Sequence, residues 1–399
     1  MSTATATQPL TGLRVLISGA SIGGPTLAYW LDRYGCAVTV VERAPALRPG
    51  GQAIDVRGAA LEVAERMGVL ERIRRHGTAL RGMSVVDDDG RELFRTTERT
   101  VSGGALDSPD VEILRDDLAD ILYAAGGRRI EYLFGDSIGT LVQSEDEVRV
   151  LFRGGTSRAF DLVVGADGVH SDTRRLVFGP ERDHLRHLGG YLGVWTMPNR
   201  LGLDRWQVVH RTAGRRLWGA MVMSVRDNTQ IRVHTGITTD EPPERFLPRD
   251  TEERKRLLVR EYAGAGWEMP RLIHGIWDAP DFHFDSLSQI HLDSWSRGRV
   301  VLLGDAAYCG SPASGQGTTM AMVGAYVLAG ELAAAAGEHL AGLAAYERKL
   351  RPFTTANQQL AQIHVEQRRR ERQANRVEPT DIGEVADYQA LSAFPLEDY

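Results

Sequence analysis

The residues of this 399-residue sequence that are best suited to chemistry lie in the stretch GRVVLLGDAAYCGSPASGQGTTMAMVGAYVLAGEL, residues 298–332. The apolar run at 300–303 is typical of a buried strand, and residues 320–330 are typical of a buried helix. Between them lie small residues that fill little volume. A core helix with so bare a beginning indicates that something other than side chains occupies the space there.

The polar and backbone groups of this bend suit a flat, redox-active ligand. Asp305 follows the strand and can accept a hydrogen bond from a ribose or ribityl hydroxyl, and Pro312 fixes the backbone. Gly315 and Gly317 allow bare N–H groups to approach a ring. The helix that begins near Thr318 directs the positive end of its dipole at that ring, which favours a negatively charged reduced state.

A second glycine-rich turn lies near the beginning of the chain, in LRVLISGASIGGPTLAYWLDRYGCAVTVVER. Gly19, Ser21 and Gly24 occupy the special positions of G-x-G-x-x-G between a predicted strand and helix, where helix N–H groups bind a pyrophosphate. Glu42 ends the next strand, where a carboxylate binds a ribose hydroxyl and favours FAD or NAD over NADP. Ser21 narrows the space that a middle glycine leaves, although its hydroxyl can donate to a phosphate. The alternative is a glycine-rich turn without a ligand.

A third turn, in DLVVGADGVHSDTRRLV, places Asp167 and Gly168 after an apolar strand. A carboxylate at that position fits the ligand crevice of an α/β sheet. The alternative is an ordinary strand-to-helix turn in which Asp167 or Ser171 caps the helix.

The three motifs GASIGG with Glu42 and Arg43, VVGADG, and GDAAYCGSPASGQG resemble the fingerprints of the FAD-dependent aromatic hydroxylases, the p-hydroxybenzoate hydroxylase class. They occur in family order between about residues 12 and 335. The sequence is similar in particular to the short members that hydroxylate tetracyclines and other polycyclic natural products. The resemblance implies an α/β fold with a Rossmann-like FAD-binding domain, an inserted antiparallel β-sheet substrate domain and a C-terminal helix.

The expected domain boundaries follow from this resemblance and from the change in texture along the chain. The FAD-binding domain is expected to be discontinuous, over residues 10–80, 102–178 and 281–345. The substrate-binding sheet is expected over 81–101 and 179–280, where aromatic residues and methionines alternate with polar ones. A helical segment is expected over 346–399. Within these domains, residues 112–126 are predicted to be helical.

The resemblance also suggests which residues bind FAD. Asp55 is expected near the flavin, Arg43 near the adenosine end, and Arg115 near the phosphates and the ribityl chain. The full set of cofactor-binding candidates is Gly19, Ser21, Ile22, Gly23, Gly24, Glu42, Arg43, Asp55, Arg115, Asp167, Asp305, Pro312, Gly315, Gln316, Gly317 and Thr318. One departure is that many relatives have Leu-Asn or Val-Asn after the glycines, whereas this chain has Thr318-Thr319. A hydroxyl or a backbone group would then replace the missing amide. Cys309 is expected to be a small packing residue rather than a redox thiol.

The activity implied by the resemblance is monooxygenation. NAD(P)H, as a transient co-substrate without its own Rossmann domain, would reduce non-covalently bound FAD, and O2 would form a flavin hydroperoxide that hydroxylates the substrate. No catalytic side chain can be assigned from the sequence. Two alternatives stay open: a flavin-dependent reductase or dehydrogenase of the same fold, and a non-catalytic protein that binds a hydrophobic ligand.

The substrate is expected to be a flat aromatic or polycyclic molecule, because the predicted sheet is rich in aromatic residues and methionine. Met221 and Met223 should share one face of a strand and Trp218 should lie on the opposite face. Each candidate could equally be an ordinary core residue. The pocket candidates are Trp195, His210, Trp218, Met221, Met223 and His234.

Composition and charge bear on the partners, the metal content and the cellular location that we expect. The net charge is −6, without a basic face, which argues against nucleic acid as a partner. The two cysteines have no metal-ligand spacing, so no metal site is expected, and they suit a reducing cytoplasm. Residues 1–9 lack the features of a signal peptide, and no apolar run is long enough for a membrane span. A cytoplasmic monomer or homodimer is expected.

Overall fold

A computed structural model of the chain describes residues 10–212, 216–336, 338–374 and 391–399. Its strands are β1 (Arg14–Ser18), β2 (Ala37–Glu42), β3 (Ala53–Val56), β4 (Met83–Val86), β5 (Glu92–Thr96), β6 (Arg99–Thr100), β7 (Gly104–Ala105), β8 (Val111–Leu114), β9 (Glu131–Phe134), β10 (Ile138–Gln143), β11 (Val148–Phe152), β12 (Ser157–Phe160), β13 (Leu162–Gly165), β14 (Leu185–Pro198), β15 (Gln207–His210), β16 (Leu217–Val225), β17 (Gln230–Thr238), β18 (His283–Ile290), β19 (Ser296–Arg297) and β20 (Val300–Leu302). Its α-helices are α1 (Gly23–Arg33), α2 (Ala59–Arg66), α3 (Leu70–Arg75), α4 (Arg115–Ala125), α5 (Asp172–Phe178), α6 (Pro243–Phe246), α7 (Thr251–Glu261), α8 (Met269–His274), α9 (Asp305–Tyr308), α10 (Gly317–Ala334) and α11 (His339–Ala374). None of the helices in this part of the chain combines the length and the hydropathy needed to span a membrane.

The first sheet has the order β19-β20-β13-β1-β2-β9 and is parallel except at the edge strand β19. Its strands are short apolar runs buried on both faces, which is typical of parallel sheets. Helices α1 and α10 pack on one face, and Leu16 and Val163 on the other face pack against the small antiparallel sheet β10-β11-β12. The sheet is therefore the middle layer of three.

The second sheet has the order β18-β14-β17-β16-β15-β4-β5 and is antiparallel except for the β15–β4 pair. Residues on one of its faces, among them Trp195, Val222 and Val233, pack against α7 and α8 through Leu258 and Leu272. We call this the helix-covered face and the other the open face. The open face borders the two-stranded sheet of β3 and β8, because Met223 and Val225 pack with Leu114 of β8 and Ala53 of β3.

The helix predicted over 112–126 begins only at Arg115, so the prediction is wrong for its first turn. Val111–Leu114 instead form β8, which pairs antiparallel with β3. A strand that finds a partner elsewhere in the chain satisfies its backbone groups as well as a helix does, and the partner is invisible to local periodicity. As a result of this strand pairing, Glu112 lies directly opposite Asp55.

A glycine pair joins the two sheets. Gly50 and Gly51 have φ values of +74° and +98°, and a Cβ on Gly50 would lie 2.0 Å from Oδ2 of Asp281. Arg115 donates to the Gly50 carbonyl over 2.8 Å, and Arg232 of the second sheet donates to the Gly51 carbonyl over 2.9 Å. The Gly51 N–H donates to Asp281 over 3.2 Å. Because both partners of these bonds are partly or fully buried, the joint fixes the sheets relative to each other.

A second joint is formed by His170, which follows the third glycine turn. Its Nε2 lies 2.6 Å from Oδ2 of Asp285 in β18, and its Nδ1 lies 3.0 Å from Oε1 of Glu181. Hydrogen bonds to Asp285 and then Glu181 raise the pKa of His170 to about 10. The ring is therefore a cation at neutral pH that connects the two sheets.

The C-terminal residues 391–399, which we call the strap, return to pack on α10. The Tyr399 ring lies against Gly330, where a Cβ would come within 2.2 Å of the ring. The Tyr399 hydroxyl donates to Glu331 over 2.5 Å, and Lys349 of α11 donates to Glu397 over 2.7 Å. Gly330 thus makes room for the ring, and the polar contacts hold the strap in place.

Replacing Gly330 by Ala should lower the free energy of unfolding by about 1–3 kcal/mol, because the clash with Tyr399 outweighs the helix propensity that alanine gains. Chemical denaturation monitored by circular dichroism measures the change. In a Tyr399→Ala background the same substitution should become neutral or stabilising by up to about 1 kcal/mol. Equal destabilisation in both backgrounds would contradict this packing.

The His170 joint should give a defined pH dependence. Since its pKa is raised on folding, its contribution to stability is complete below the unfolded pKa of about 6.5 and is lost as the pH rises towards 10. The difference in unfolding free energy between wild type and His170→Gln should therefore shrink between pH 6.5 and 10. Asp285→Asn, which removes one carboxylate partner, should weaken the same trend. A difference that does not vary with pH would refute the ionic joint.

Candidate functional site

The three glycine motifs, far apart in sequence, meet at one edge of the first sheet. Ser18 at the end of β1 is in register with Gly165 at the end of β13, and Gly165 with Leu302 at the end of β20. On the other side, Ser18 pairs with Val41, next to Glu42. Because these neighbouring strands are parallel, their carboxyl ends and the turns that follow them share an edge, which is where ligands bind in open α/β sheets.

The first turn is built by two glycines that no other residue could replace. Gly19 has φ +110°, and a Cβ there would lie 2.4 Å from the Ala166 carbonyl oxygen. A Cβ on Gly24 would lie 1.9 Å from the carbonyl oxygen of Gly19. Helix α1 therefore approaches the strand end as closely as backbone allows. Ser21, Ile22 and Gly23 form its half-buried beginning.

Glu42 organises the same turn from the neighbouring strand. Its Oε2 accepts from the N–H of Ala20 over 3.0 Å, and its Oε1 accepts from the N–H of Ala44 over 2.9 Å. These bonds hold the carboxylate at the edge of the sheet beside the glycine turn. Arg43, the next residue, is exposed.

Ser171 is the N-cap of helix α5 and Asp167 is bonded to the same turn, which agrees with the alternative considered from the sequence. Its Oδ2 accepts from the backbone N–H and the hydroxyl of Thr173, each over 2.9 Å, and its Oδ1 accepts from Ser171. The Ser171 hydroxyl in turn accepts from the N–H of Arg174 over 2.9 Å. The carboxylate is already bound by protein donors, so its first role is to fix the third turn.

Arg174 is a residue of this edge that the sequence analysis missed. It is fully buried and donates to the Val169 carbonyl over 2.6 Å and to the Ala306 carbonyl over 3.0 Å. It also lies 3.0 Å from Glu181, while burial lowers its pKa. The side chain ties the Asp167 turn to helix α9. The sequence could not predict this role of Arg174, because two of its partners are backbone carbonyl groups, which every residue has.

The bend between β20 and α10 has the open surface that the sequence predicted. Asp305, Pro312 and Gly317 are exposed, and a Cβ on Gly317 would have no protein atom nearer than Oδ1 of Asp305 at 4.0 Å. Gly315 lies in the left-handed region, with φ +64°. Burial raises the pKa of Asp305 even though part of its side chain is accessible. The bend therefore presents an acceptor and bare backbone side by side.

Two buried polar side chains at the beginning of α10 have no hydrogen-bond partner among the described residues. Gln316 and Thr319 are fully buried, and both atoms of the Gln316 amide and the Thr319 hydroxyl are unsatisfied. A buried polar group without a partner costs about 1–3 kcal/mol and is rare in native proteins. Thr318 beside them is buried as well. The arrangement fits a polar ligand that would supply the missing partners.

Cys309 is a packing residue, as expected. It is buried, its Sγ lies 3.6 Å from the Ser288 carbonyl and accepts from the N–H of Ser311 over 3.4 Å, and burial raises its pKa well above the ordinary value. A thiol in such surroundings stays protonated and unreactive.

Asp55 and Arg115 lie near the glycine joint, and strand β3, which contains Asp55, also contacts α10. That they bind FAD stays a prediction. Arg115, the first residue of α4, donates to the carbonyls of Arg48 and Gly50 over 2.7 and 2.8 Å. Asp55 is buried and forms an ion pair with Arg57 over 2.8 Å. The Arg115 side chain thus holds the segment between β2 and β3 in place.

Four of the six pocket candidates share the open face of the second sheet. Met221 and Met223 are in register with His234 and Arg232, so these side chains lie on one face. Trp218 lies over Gly236, where a Cβ would come within 2.3 Å of the indole, and Gly236 shares the face of His234. The prediction that Trp218 lies opposite the methionines is therefore wrong. The cause is a β-bulge between Leu217 and Ala220, which shifts the alternation by one residue.

The other two candidates lie on the helix-covered face. Trp195 is in register with Val233 and is fully buried against the helices. His210 is in register with Ala220; its Nε2 lies 3.0 Å from Asp88 and its ring packs 5.1 Å from that of Trp267. The structure thus separates them from the methionine side of the sheet.

His234 and Arg232 give the open face its polar character. Burial, helped by the charge of Arg232, lowers the pKa of His234 to about 4, so its ring is neutral at pH 7. Its Nδ1 has no hydrogen-bond partner within the described ranges. Arg232, which the sequence analysis missed, is buried and donates to Gly51 and Thr196. A neutral histidine can accept a proton or a hydrogen bond from a ligand.

Comparison with known proteins gives the chain its family. The profile described as an FAD binding domain matches residues 12–361. An uncharacterised protein of Mycobacterium tuberculosis is 51% identical over 88% of this chain and 93% of its own length. A protein named flavin-dependent monooxygenase, from an unknown prokaryotic organism, is 39% identical over 86% of this chain and 87% of its own.

Among solved structures, the tetracycline destructase Tet(55) superposes with a TM-score of 0.82. It is 35% identical, and the alignment covers 98% of this chain and 100% of the destructase. This similarity confirms the predicted fold class, and with the family match it confirms the resemblance to FAD-dependent aromatic hydroxylases. The chain belongs to the FAD-binding domain family of flavin-dependent monooxygenases.

Proposed function

We propose that this FAD-dependent monooxygenase uses NAD(P)H and O2 to hydroxylate an aromatic or polycyclic small molecule. The observation that carries the proposal is the meeting of the three glycine motifs at one sheet edge, beside a helix whose first residues contain unsatisfied buried polar groups. Strand β3 contacts α10, and Ala53 of β3 also packs against the open face of the second sheet. We therefore expect the site for the dinucleotide and the site for the organic substrate to be neighbours.

The residues at the edge fit FAD. Gly19, Ser21 and the beginning of α1 would bind the pyrophosphate, and Glu42 would accept from a ribose hydroxyl. Asp305 would accept from the ribityl chain, and the bare backbone at Gly315 and Gly317 would lie against the ring. The Gln316 amide and the Thr319 hydroxyl would supply the polar contacts that relatives obtain from an asparagine. When bound, FAD supplies two-electron transfer from NAD(P)H and the activation of O2.

The protein's contribution to the reaction is electrostatic and positional. The N-terminus of α10 points at the bend and favours negative charge there. The half-buried Met221 and Trp218 side chains would offer a flat apolar surface that excludes water, and Met223 is buried beneath them against Leu114. His234, neutral and buried, would accept a hydrogen bond from an acidic hydroxyl of the substrate and so orient it.

The open face supports a polycyclic rather than a small polar substrate. Its half-buried Met221 and Trp218 side chains lie on the same face as Arg232 and His234, whose polar groups would fix the orientation of a flat molecule. The similarity to tetracycline destructase Tet(55) supports the same class of substrate.

The reaction is tested by screening aromatic and polycyclic compounds for substrate-dependent oxidation of NADH or NADPH by the FAD-loaded enzyme. A hit is then converted under ¹⁸O-labelled O2, and the product should gain one labelled oxygen atom by mass spectrometry. Reduction of the flavin by NAD(P)H with no label in any product would instead indicate a reductase. A purified protein that takes up no FAD would indicate a ligand-binding protein without redox activity.

The site itself is tested by Gln316→Leu, which removes an unsatisfied buried amide at similar volume. The FAD-free protein should keep its stability or gain about 1–3 kcal/mol in unfolding free energy, while the Kd for FAD should rise about tenfold or more. Denaturation and titration of flavin fluorescence measure the two effects.

The matched control is Gln358→Leu. The Gln358 amide is also buried, but it donates to the carbonyl of Ile290 over 2.8 Å. Its replacement should destabilise the FAD-free protein by about 1–3 kcal/mol. If Gln316→Leu destabilises the FAD-free protein as much as the control does, the Gln316 amide already has a partner in the protein, and the prediction that it binds FAD is wrong.

A further inference from the structure

The carboxyl groups of Asp55, which is buried, and of Glu112, which is half-buried, face each other next to the joint between the sheets. In the β3–β8 pair, Asp55 is directly opposite Glu112. Opposed side chains in an antiparallel pair have Cβ atoms about 4.5–5.5 Å apart. They lie on the side of Ala53 and Leu114, which pack against the open face of the second sheet. Neither the binding of FAD nor the proposed reaction uses Glu112.

Each carboxyl group has one oxygen without a partner among the described residues. Asp55 is 9% exposed, and its Oδ1 is buried and unsatisfied; Oε1 of Glu112 is likewise buried and unsatisfied. The other oxygens are bound: Arg57 lies 2.8 Å from Oδ2 of Asp55, and Thr78 donates to Oε2 of Glu112 over 2.5 Å. A hydrogen bond between these two unsatisfied carboxyl oxygens would satisfy both of them. Such a bond requires one proton on the pair.

The charges around the pair also require a proton. Arg57 is the cation in contact with it, and Arg57 lies 3.9 Å from Asp110 as well. Three carboxyl groups therefore surround one guanidinium. The turn at Thr78 and the strand at Gln207 bring no charge, and the two strands of the neighbouring hairpin bring only Arg99. Like charges that are buried side by side do not both stay ionised.

A hairpin formed by β6 and β7, residues 99–105, covers the pair and is bonded to it. The Ser102 hydroxyl binds Glu112, and the Ser102 carbonyl accepts from Arg57 over 3.2 Å. Gln207 of the second sheet accepts from the N–H of Val101 over 2.7 Å. The position of the hairpin thus depends on the same groups whose charge the proton controls.

We propose that Asp55 and Glu112 form a proton-binding site that retains one shared proton at neutral pH, and that this proton keeps the hairpin 99–105 closed over the pair. Without the proton, two carboxylates would repel each other beneath Ser102 and would compete for Arg57. The hairpin would then release its contacts, and water would reach the joint between the sheets. Burial, opposed by Arg57 and reinforced by Glu112, raises the pKa of Asp55, and burial also raises that of Glu112, in agreement with a retained proton.

The sign of the pH effect follows from the raised pKa. The closed state binds a proton that the open state releases above the ordinary carboxyl pKa of about 4, so closure is favoured at low pH and weakens as the pH rises. One linked proton changes the closing equilibrium by about tenfold for each pH unit between the pKa values of the open and closed states.

The experiment is hydrogen–deuterium exchange of the full-length FAD-loaded enzyme, read by mass spectrometry in peptides that cover 99–105. After correction for the intrinsic exchange rate at each pH, protection in the wild type should fall by about tenfold or more between pH 6 and pH 9. Asp55→Asn and Glu112→Gln, which imitate the protonated form, should keep the hairpin protected across this range. The control Asp204→Asn, at an exposed carboxylate paired with Arg81, should behave as wild type.

Infrared spectroscopy gives an independent measure that needs no pH change. The wild type at neutral pH should show the carbonyl stretch of a protonated carboxyl group that is lost in Asp55→Asn or in Glu112→Gln. A pH-independent protection of 99–105, or the absence of this band, would overturn the proposal. If neither variant folds, the wild-type exchange profile and the infrared band decide the question by themselves.

Discussion

The parallel pairing of β20, β13, β1 and β2 is the constraint on which the rest of this structure depends. It brings together turns that are separated by more than a hundred residues and gives their backbone N–H groups a common direction. Gly24 lies in close contact with the Gly19 carbonyl, and the buried Arg174 donates hydrogen bonds to two of the turns. These contacts fix the positions of the turns at the sheet edge. A binding site assembled in this way is rigid before any ligand arrives, which lowers the entropic cost of binding.

The second sheet adds a surface that the first cannot offer. Its helix-covered face provides the hydrophobic stability, so the open face is free to carry polar groups such as Arg232 and His234 among methionines. The glycine joint at Gly50 and Gly51 and the His170 ion pairs hold this face in position. The glycine joint uses partly buried hydrogen bonds and the His170 joint uses more exposed ion pairs. Both kinds of bond are directional, whereas apolar contacts tolerate sliding.

Some of the unsatisfied buried polar groups lie at the two sites for which binding is proposed. The Gln316 amide, the Thr319 hydroxyl and the opposed oxygens of Asp55 and Glu112 are all buried within the described residues. In a core that only served stability, such groups would be replaced by apolar ones of the same size. Their presence is consistent with the two proposals made above, that the groups at α10 bind a cofactor and that those at β3 and β8 share a proton.

Local patterns in the sequence determined the parts of this protein that depend on neighbouring residues. Gly19 and Gly24, the acid that ends β2 and the bare bend before α10 were all readable, because a turn and a helix beginning need particular residues within a few positions. The fold class followed from the order of the motifs. The tertiary structure decided what depends on partners elsewhere in the chain. Glu112 lies in strand β8 instead of the predicted helix, because β8 pairs with β3. A β-bulge places Trp218 on the same face as the methionines. Arg174 and Arg232 became visible as organising residues only when their backbone acceptors were in place, since a carbonyl group leaves no mark in a sequence.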